Sequence, residues 1–252
     1  MCSGRYWYVS NVAAHNGADA GGTAGQQRTR PLLTTLQAVT NSAVGDTIVY
    51  LEGHNESIAS AITTVTARHF ISEGTAATRA QLQSSAAGQA VFAAVMTRAM
   101  FENISFKAGV ASNATTALSI SAATEQVDVV DCTFEIGAGA TQAVLLGAGM
   151  FDANFKDCTF TNVATTPATR PASAITAAGA IAGLLSLDTV TFDGGTVGWT
   201  APALNLNGGA VSGLLGIDVD LLRDSDIFVA TGSVYRFYKR NSTGSAVMEF
   251  TA

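Results

Sequence analysis

Apolar and polar positions alternate in short bursts along this chain, and the bursts return at a near-constant interval. A branched or sulfur-containing residue, a hydroxyl residue and a phenylalanine follow one another at Ile104-Ser105-Phe106, Cys132-Thr133-Phe134, Cys158-Thr159-Phe160 and Val190-Thr191-Phe192. The phenylalanines lie 28, 26 and 32 residues apart, and Val219-Asp220-Leu221 extends the column 29 residues later. In–out–in alternation is the period-two signature of a half-buried strand. Residues 179–188 also match residues 209–218, with six of ten positions identical at an offset of 30.

Units of this length suit one coil of a parallel solenoid, where no unit buries its apolar face alone and each stacks on its neighbours. The pattern predicts an interior stack of Phe106, Phe134, Phe160 and Phe192 on rungs about 4.8 Å apart. Cys132 and Cys158 then become vertical neighbours in the adjacent interior column, as small core hydrophobes. Gly137-Ala138-Gly139-Ala140 and Asn205-Leu206-Asn207-Gly208-Gly209 supply turns between units. Asp188 and Asp218 are expected to stack in the 30-residue repeat, with Asp220 two residues along the same face. Asp131 and Asp157 stack in the same way, and Lys107 and Glu135 pair across rungs.

The two ends differ from the middle. Tyr6-Trp7-Tyr8-Val9 starts a strand, residues 16–27 read as a Gly/Ala-rich loop, and Pro31 opens a short amphipathic helix over about 31–42. Leu32, Leu36 and Val39 share one face of that helix, and Gly45-Asp46 ends the segment. Residues 226–252 lose the coil spacing and read as two or three strands around Asn241-Ser242-Thr243-Gly244. The expected fold is an all-β, right-handed parallel β-helix over residues 1–225, with a short N-terminal capping helix. Residues 226–252 form an irregular C-terminal β cap or oligomerisation arm, since an open coil exposes its interior and its strand edges.

The succession of strand, glycine-rich loop, Pro-started helix, Gly45-Asp46-Thr47-Ile48-Val49-Tyr50-Leu51 and Glu52-Gly53-His54 resembles the N-terminal segment of pectate-lyase-like right-handed β-helix proteins. The Cys-Thr-Phe and Val-Thr-Phe units resemble the body of the same superfamily, so the likeness covers roughly residues 6–225. Leu51-Glu52 stands where a proline ordinarily precedes the glycine. The superfamily includes lyases, hydrolases, phage tailspikes and non-enzymatic virion proteins, so the likeness speaks to fold more than to function. The Ala/Thr/Gly-rich composition and Gly53-His54-Asn55-Glu56-Ser57-Ile58 resemble bacteriophage structural proteins.

Charge and composition narrow the chemistry. The net charge is −6, and the three lysines are Lys107, Lys156 and Lys239, so no basic stripe meets a nucleic-acid backbone. The short cluster Arg236-Phe237-Tyr238-Lys239-Arg240 reads as an exposed strand or turn. Charged residues make up 13% of the chain, too few to cover a free monomer, which points to homo-oligomer contacts. The apolar run at 176–187 is too short to span a membrane, and the N-terminus lacks the apolar stretch of a signal peptide. Cys2, Cys132 and Cys158 make no disulfide framework.

A glycosidase requires two carboxylates facing one groove, and a lyase of this fold a carboxylate-bound Ca²⁺ with a basic residue. The strongest candidate metal or carbohydrate patch is Asp188, Asp218 and Asp220, with Asp224 and Asp226 near and Arg223 as a cation. The alternative is a solvated acidic face. His54 with Glu52 and Glu56 resembles an acid–base cluster at a position where such residues are commonly structural. No catalytic residue and no cofactor is assigned. The expected function is a non-enzymatic phage virion protein, a homotrimeric capsid decoration or cement protein. It would be assembled in the bacterial cytoplasm and hold to the major capsid protein. The β-helix beginning at Tyr6 leaves no room for a tailspike's head-binding domain. Contacts are expected from the terminal segments through Tyr6, Trp7, Tyr8, Tyr235, Phe237 and Tyr238. The competing reading is a β-helix that binds or cleaves a host surface glycan, with Trp199 and Tyr235 as the nearby rings for stacking on sugar.

Overall fold

A computed structural model describes the chain apart from residues 1–3, 16, 20–23, 64, 86–88, 95, 110–115, 122–124, 139, 242–243 and 249–252. Cys2, part of the loop at 16–27, and the centre of the turn at 241–244 therefore lie outside the described residues. What is described is an all-β parallel solenoid with three walls. The first wall begins at Tyr6–Val9 and climbs through Thr47–Tyr50, His69–Ser72, Ala99–Glu102, Gln126–Val130, Asp152–Lys156, Ile181–Asp188 and Val211–Ile217 to Tyr235–Asn241. The second runs from Asn55–Ile58 to Asp220–Leu222, and the third from Phe92–Ala94 to Ile227–Val229. Each coil visits the walls in turn, as Gln126–Val130, Thr133–Ile136 and Val144–Leu146 do.

The aromatic column forms as the spacing predicts. Phe106, Phe134, Phe160 and Phe192 occupy matching register positions of the second wall. Their rings stack at 5.1, 4.5 and 5.2 Å, with planes within 19° of parallel, and all four are buried. A second interior column climbs the first wall through Phe70, Phe101, Val129, Phe155, Leu187 and Gly216 to Phe237. Phe70 and Phe101 stack at 5.1 Å, and Phe92 meets both rings edge-on or tilted, which joins the walls across the lumen.

The residue before each Cys-Thr-Phe-like unit turns the chain. Asn103, Asp131, Asp157, Thr189 and Asp218 all hold positive φ, between 49° and 57°, at the corner from first to second wall. Asn and Asp tolerate this left-handed conformation better than most residues. Each of these corner N–H groups donates to the next coil: Asn103 to Val130, Asp131 to Lys156, Asp157 to Asp188, Thr189 to Ile217 and Asp218 to Tyr238. The five distances lie between 2.8 and 3.0 Å. The stacking expected of Asp131 and Asp157 is therefore a backbone device, and the residue after each corner plugs it from inside, buried at Ile104, Cys132, Cys158 and Val190 and partly buried at Val219. Cys132 and Cys158 are two such plugs. Burial pushes the Cys158 thiol up to about 12 and the Cys132 thiol well above its ordinary range.

Three expectations are corrected. The helix spans Thr35–Asn41, with Thr34 as its N-cap, and Pro31 stands outside it. The Asp19 carboxylate accepts from the Leu33 N–H, the Thr34 N–H and the Thr34 hydroxyl, which holds Thr34 in the extended conformation of the cap. Leu32 consequently belongs to a bridge with Val9 and is buried, whereas Leu36 is exposed.

The 30-residue repeat also changes register within itself. Ile181 pairs with Val211, but Leu185 pairs with Leu214 and Asp188 with Ile217, because a bulge intervenes between Ile181 and Leu184. Gly183 there lies against the Phe151 carbonyl too closely for a side chain, and the Leu184 N–H donates to the Asp152 carboxylate at 2.8 Å. Slipping by one residue reverses the face each side chain takes. Leu184 and Leu185 match Leu214 and Leu215 letter for letter, yet they exchange faces. Leu185 and Leu214 are the buried pair, while Leu184 is exposed and Leu215 is turned half outward.

Thirdly, the coil spacing does not stop at 225. Ile227–Val229 still pairs in parallel with Leu204–Leu206, and Tyr235–Asn241 with Val211–Ile217. Among the described residues beyond 225, only Gly244–Met248 turns back, antiparallel to Tyr235–Asn241.

Candidate interaction surface at the C-terminal end

The register shift disperses the acidic patch. Asp188 stands opposite Ile217 and Lys156, not Asp218. Asp218 serves as a left-handed corner, and Asp220 pairs with Thr191 on the second wall. Arg223 turns to Asp193, making a two-point contact through Nε at 2.7 Å and through Nη2. That guanidinium, first, and the Gly195 N–H hold the Asp193 carboxyl below its ordinary value against the opposing effect of burial. Among the described residues no three His, Cys, Asp or Glu side chains converge to hold a metal. No helix there is long and apolar enough to cross a membrane.

The terminal aromatics separate into two kinds. Tyr6 is exposed and Tyr8 half-buried, but Trp7 is 5% exposed and faces its own core. Its indole Nε1–H donates to Asp46 at 2.8 Å, and the Arg5 guanidinium lies 5.7 Å from its ring. Asp46 also accepts from the Arg5 and Ala43 N–H groups at 2.8 Å each. Burial pushes this carboxyl up, yet the hydrogen bonds together outweigh it and leave the group below its ordinary 3.8. A depressed native value stabilises the fold at pH above the ordinary value, and that contribution disappears as pH falls through the native one. The stability gap between the wild-type protein and Asp46→Asn in urea unfolding is therefore expected to be full at pH 7 and to narrow below pH 3.8. A gap equally wide at pH 7 and pH 3 would count against this role.

Trp199 is likewise buried, with its Nε1–H donating to the Ser225 hydroxyl at 3.0 Å, so it offers no ring to a sugar. His54 and Glu56 are buried together, and Glu52 points to solvent. Nε2 of His54 lies 3.1 Å from Glu56, while its Nδ1 accepts from the Asn11 N–H. The same carboxylate accepts from the Thr35 N–H and hydroxyl. This cluster anchors the first turn of the helix to the first coil, which is the structural role. Lys107 and Glu135 do pair across rungs, at 3.3 Å.

Tyr235, Phe237 and Tyr238 lie at the opposite end, and there the structure assembles a surface. Tyr235 and Phe237 pack partly against the core and line a cavity of about 480 Å³ with Val219, Leu221, Ile227 and Val229. Gly216 sits directly beneath Phe237, where any Cβ would run into the ring. Its missing side chain lets Phe237 tilt over the lumen. Leu221 and Phe228 in its lining are exposed, as are Leu222 and Val234, which adjoin lining residues in the chain. The position of Leu221 in the phenylalanine column signals one wall of this cavity in the sequence. Gly216 and Arg223–Asp193, the latter pair 30 residues apart, carry no local signal.

Tyr238 is half-buried on the other face of its strand. No protein-family model matches the chain, and no curated protein is significantly similar to it in sequence.

Proposed function

We propose that the chain is a non-enzymatic structural protein that acts by adhesion, as a decoration or cement protein of a phage capsid. The observation that supports adhesion is the C-terminal end, where among the described residues the last coil leaves an apolar cavity and two unpaired strand edges beside a parallel rod. Exposed apolar surface of this kind marks interaction sites, and open edges are templates for pairing with another chain. The virion, the capsid protein as partner and assembly in the host cytoplasm rest on the likeness of the sequence to β-helix virion proteins. A homotrimer accords with the low charge of the chain.

A second reading draws on a different surface. On the outer face of the second wall, Gln81, Ser105, Thr133, Thr159, Thr161 and Glu135 line a groove of about 420 Å³ beside Arg79. Hydroxyls and amides in this arrangement suit a host surface glycan. Light scattering on the purified protein, with and without EDTA, separates the readings together with a panel of bacterial polysaccharides. The structural reading expects at least three copies of the 25.7 kDa chain, indifferent to EDTA, and no release of sugar fragments. A monomer, a mass that collapses on chelation, or released oligosaccharide would overturn it.

A further inference from the structure

We infer that the groove on the outer face of the second wall binds a neutral saccharide chain, laid along the axis of the coils, and holds it without cutting it. The inference rests on the reading of this groove as a glycan site and names the class of glycan. Gln81, Ser105, Thr133 and Thr159 stand in register on four successive coils and form one polar column across the rungs. Ser105 is the most deeply set of them. It is 6% exposed, it lines the groove, and its hydroxyl has no hydrogen-bond partner among the described residues. Ala76, Ala77 and Arg79, from the segment before Gln81, line the same groove beside the column and make it a recess. A buried polar group left without a partner costs free energy, and a sugar hydroxyl reaching Ser105 supplies both a donor and an acceptor. Thr133 and Thr159 offer further hydroxyls without partners in the chain, one on each of the next rungs, about 4.8 Å apart.

Charge selects a neutral ligand. Arg79 is held within the chain by Asp131, whose carbonyl accepts from Nη1 at 2.5 Å and whose carboxylate lies 3.4 Å from Nη2. Among the described residues the lining holds no other cation. Its carboxylate, Glu135, is tied to Lys107 at 3.3 Å and is 40% exposed at the side chain, so it opposes an acidic sugar. What stays unengaged is a set of hydroxyls with the Gln81 amide, groups that donate and accept at once and so match the hydroxyls of a neutral sugar. Cleavage of a glycosidic bond takes two carboxylates facing each other across it, and the described lining provides one. Binding without cleavage also accords with a chain that acts by adhesion.

The test is titration calorimetry of the full chain against two sets of probes. The neutral set comprises oligosaccharides of glucose, galactose, mannose, rhamnose and N-acetylhexosamines, and the acidic set oligogalacturonate and oligosialate. At least one neutral oligosaccharide is expected to bind, with an affinity that does not fall as salt is raised and with no reducing ends released. Thr133→Val/Thr159→Val keeps the shape of both side chains and removes their hydroxyls. It is expected to weaken binding about tenfold or more while leaving the circular dichroism spectrum and thermal transition unchanged. Ser105→Val fills the recess and is expected to abolish binding. Thr176→Val, on the third wall, is expected to bind as the wild type does. Binding confined to the acidic probes overturns the inference and leaves the glycan reading standing. No binding to either set overturns both. A neutral sugar bound equally well by the wild type and by Thr133→Val/Thr159→Val sits elsewhere on the chain, which also overturns the inference. Sugar fragments released from a bound neutral chain would refute the claim that the groove does not cut.

Discussion

Phe134→Ala is expected to lower the unfolding free energy by about 3–5 kcal/mol, the range for deleting a fully buried aromatic ring. Phe134 is the middle of a continuous column, stacked on Phe160 at 4.5 Å with the planes 5° apart, and on Phe106 at 5.1 Å. Its neighbours cannot close the gap by moving together, because parallel hydrogen bonding fixes the rungs of the second wall above and below. The cavity therefore persists, and the lost contacts add to the lost burial. Urea unfolding reads the effect as a fall in the midpoint. Phe151→Ala provides the comparison, since that ring is exposed and its removal is expected to change stability by less than about 0.5 kcal/mol. Equal effects at the two positions would show that the column is not a rigid core.

The second large effect is expected at a polar residue. Glu56→Ala removes the acceptor of the Thr35 N–H, the Thr35 hydroxyl and His54 Nε2. Because Nδ1 of His54 accepts from the Asn11 N–H, the proton lies on Nε2, and its acceptor there is Glu56. The substitution leaves that N–H and the first N–H of the helix buried without partners, at about 1–3 kcal/mol for each. The expected loss is about 3 kcal/mol or more. Glu56→Gln keeps one acceptor oxygen and is expected to lose roughly half as much. Hydrogen exchange locates the damage: faster exchange over Thr35–Asn41 with the second-wall core unchanged is the expected pattern. Wild-type stability in Glu56→Ala would show that the carboxylate is not the anchor of the helix. Burial, with the Glu56 charge adding to it, holds the nearby Tyr50 phenol neutral well above its ordinary range. Tyr50 stacks on His54 at 5.3 Å and completes the apolar side of this anchor.

The parallel solenoid, the column of phenylalanines, the buried thiols and the Lys107–Glu135 rung were all legible in the chain itself. They follow from two periodicities that need no partner to be seen: alternation along a strand, and return of the same triplet after one coil. Everything else was settled by contacts between distant residues. A bulge at Gly183 moved Asp218 out of line with Asp188 and dissolved the candidate acidic site, because a one-residue slip in a strand is invisible to an alignment of identical letters. Asp19 and Glu56 fixed where the helix begins through hydrogen bonds spanning 14 and 21 residues. Trp7 and Trp199 read as contact residues by type, yet each turned inward once a distant Asp46 or Ser225 satisfied its indole N–H. Among the described residues, the first wall continues past the ends of the other two, and this depends on how the last strands pair and not on any residue within them.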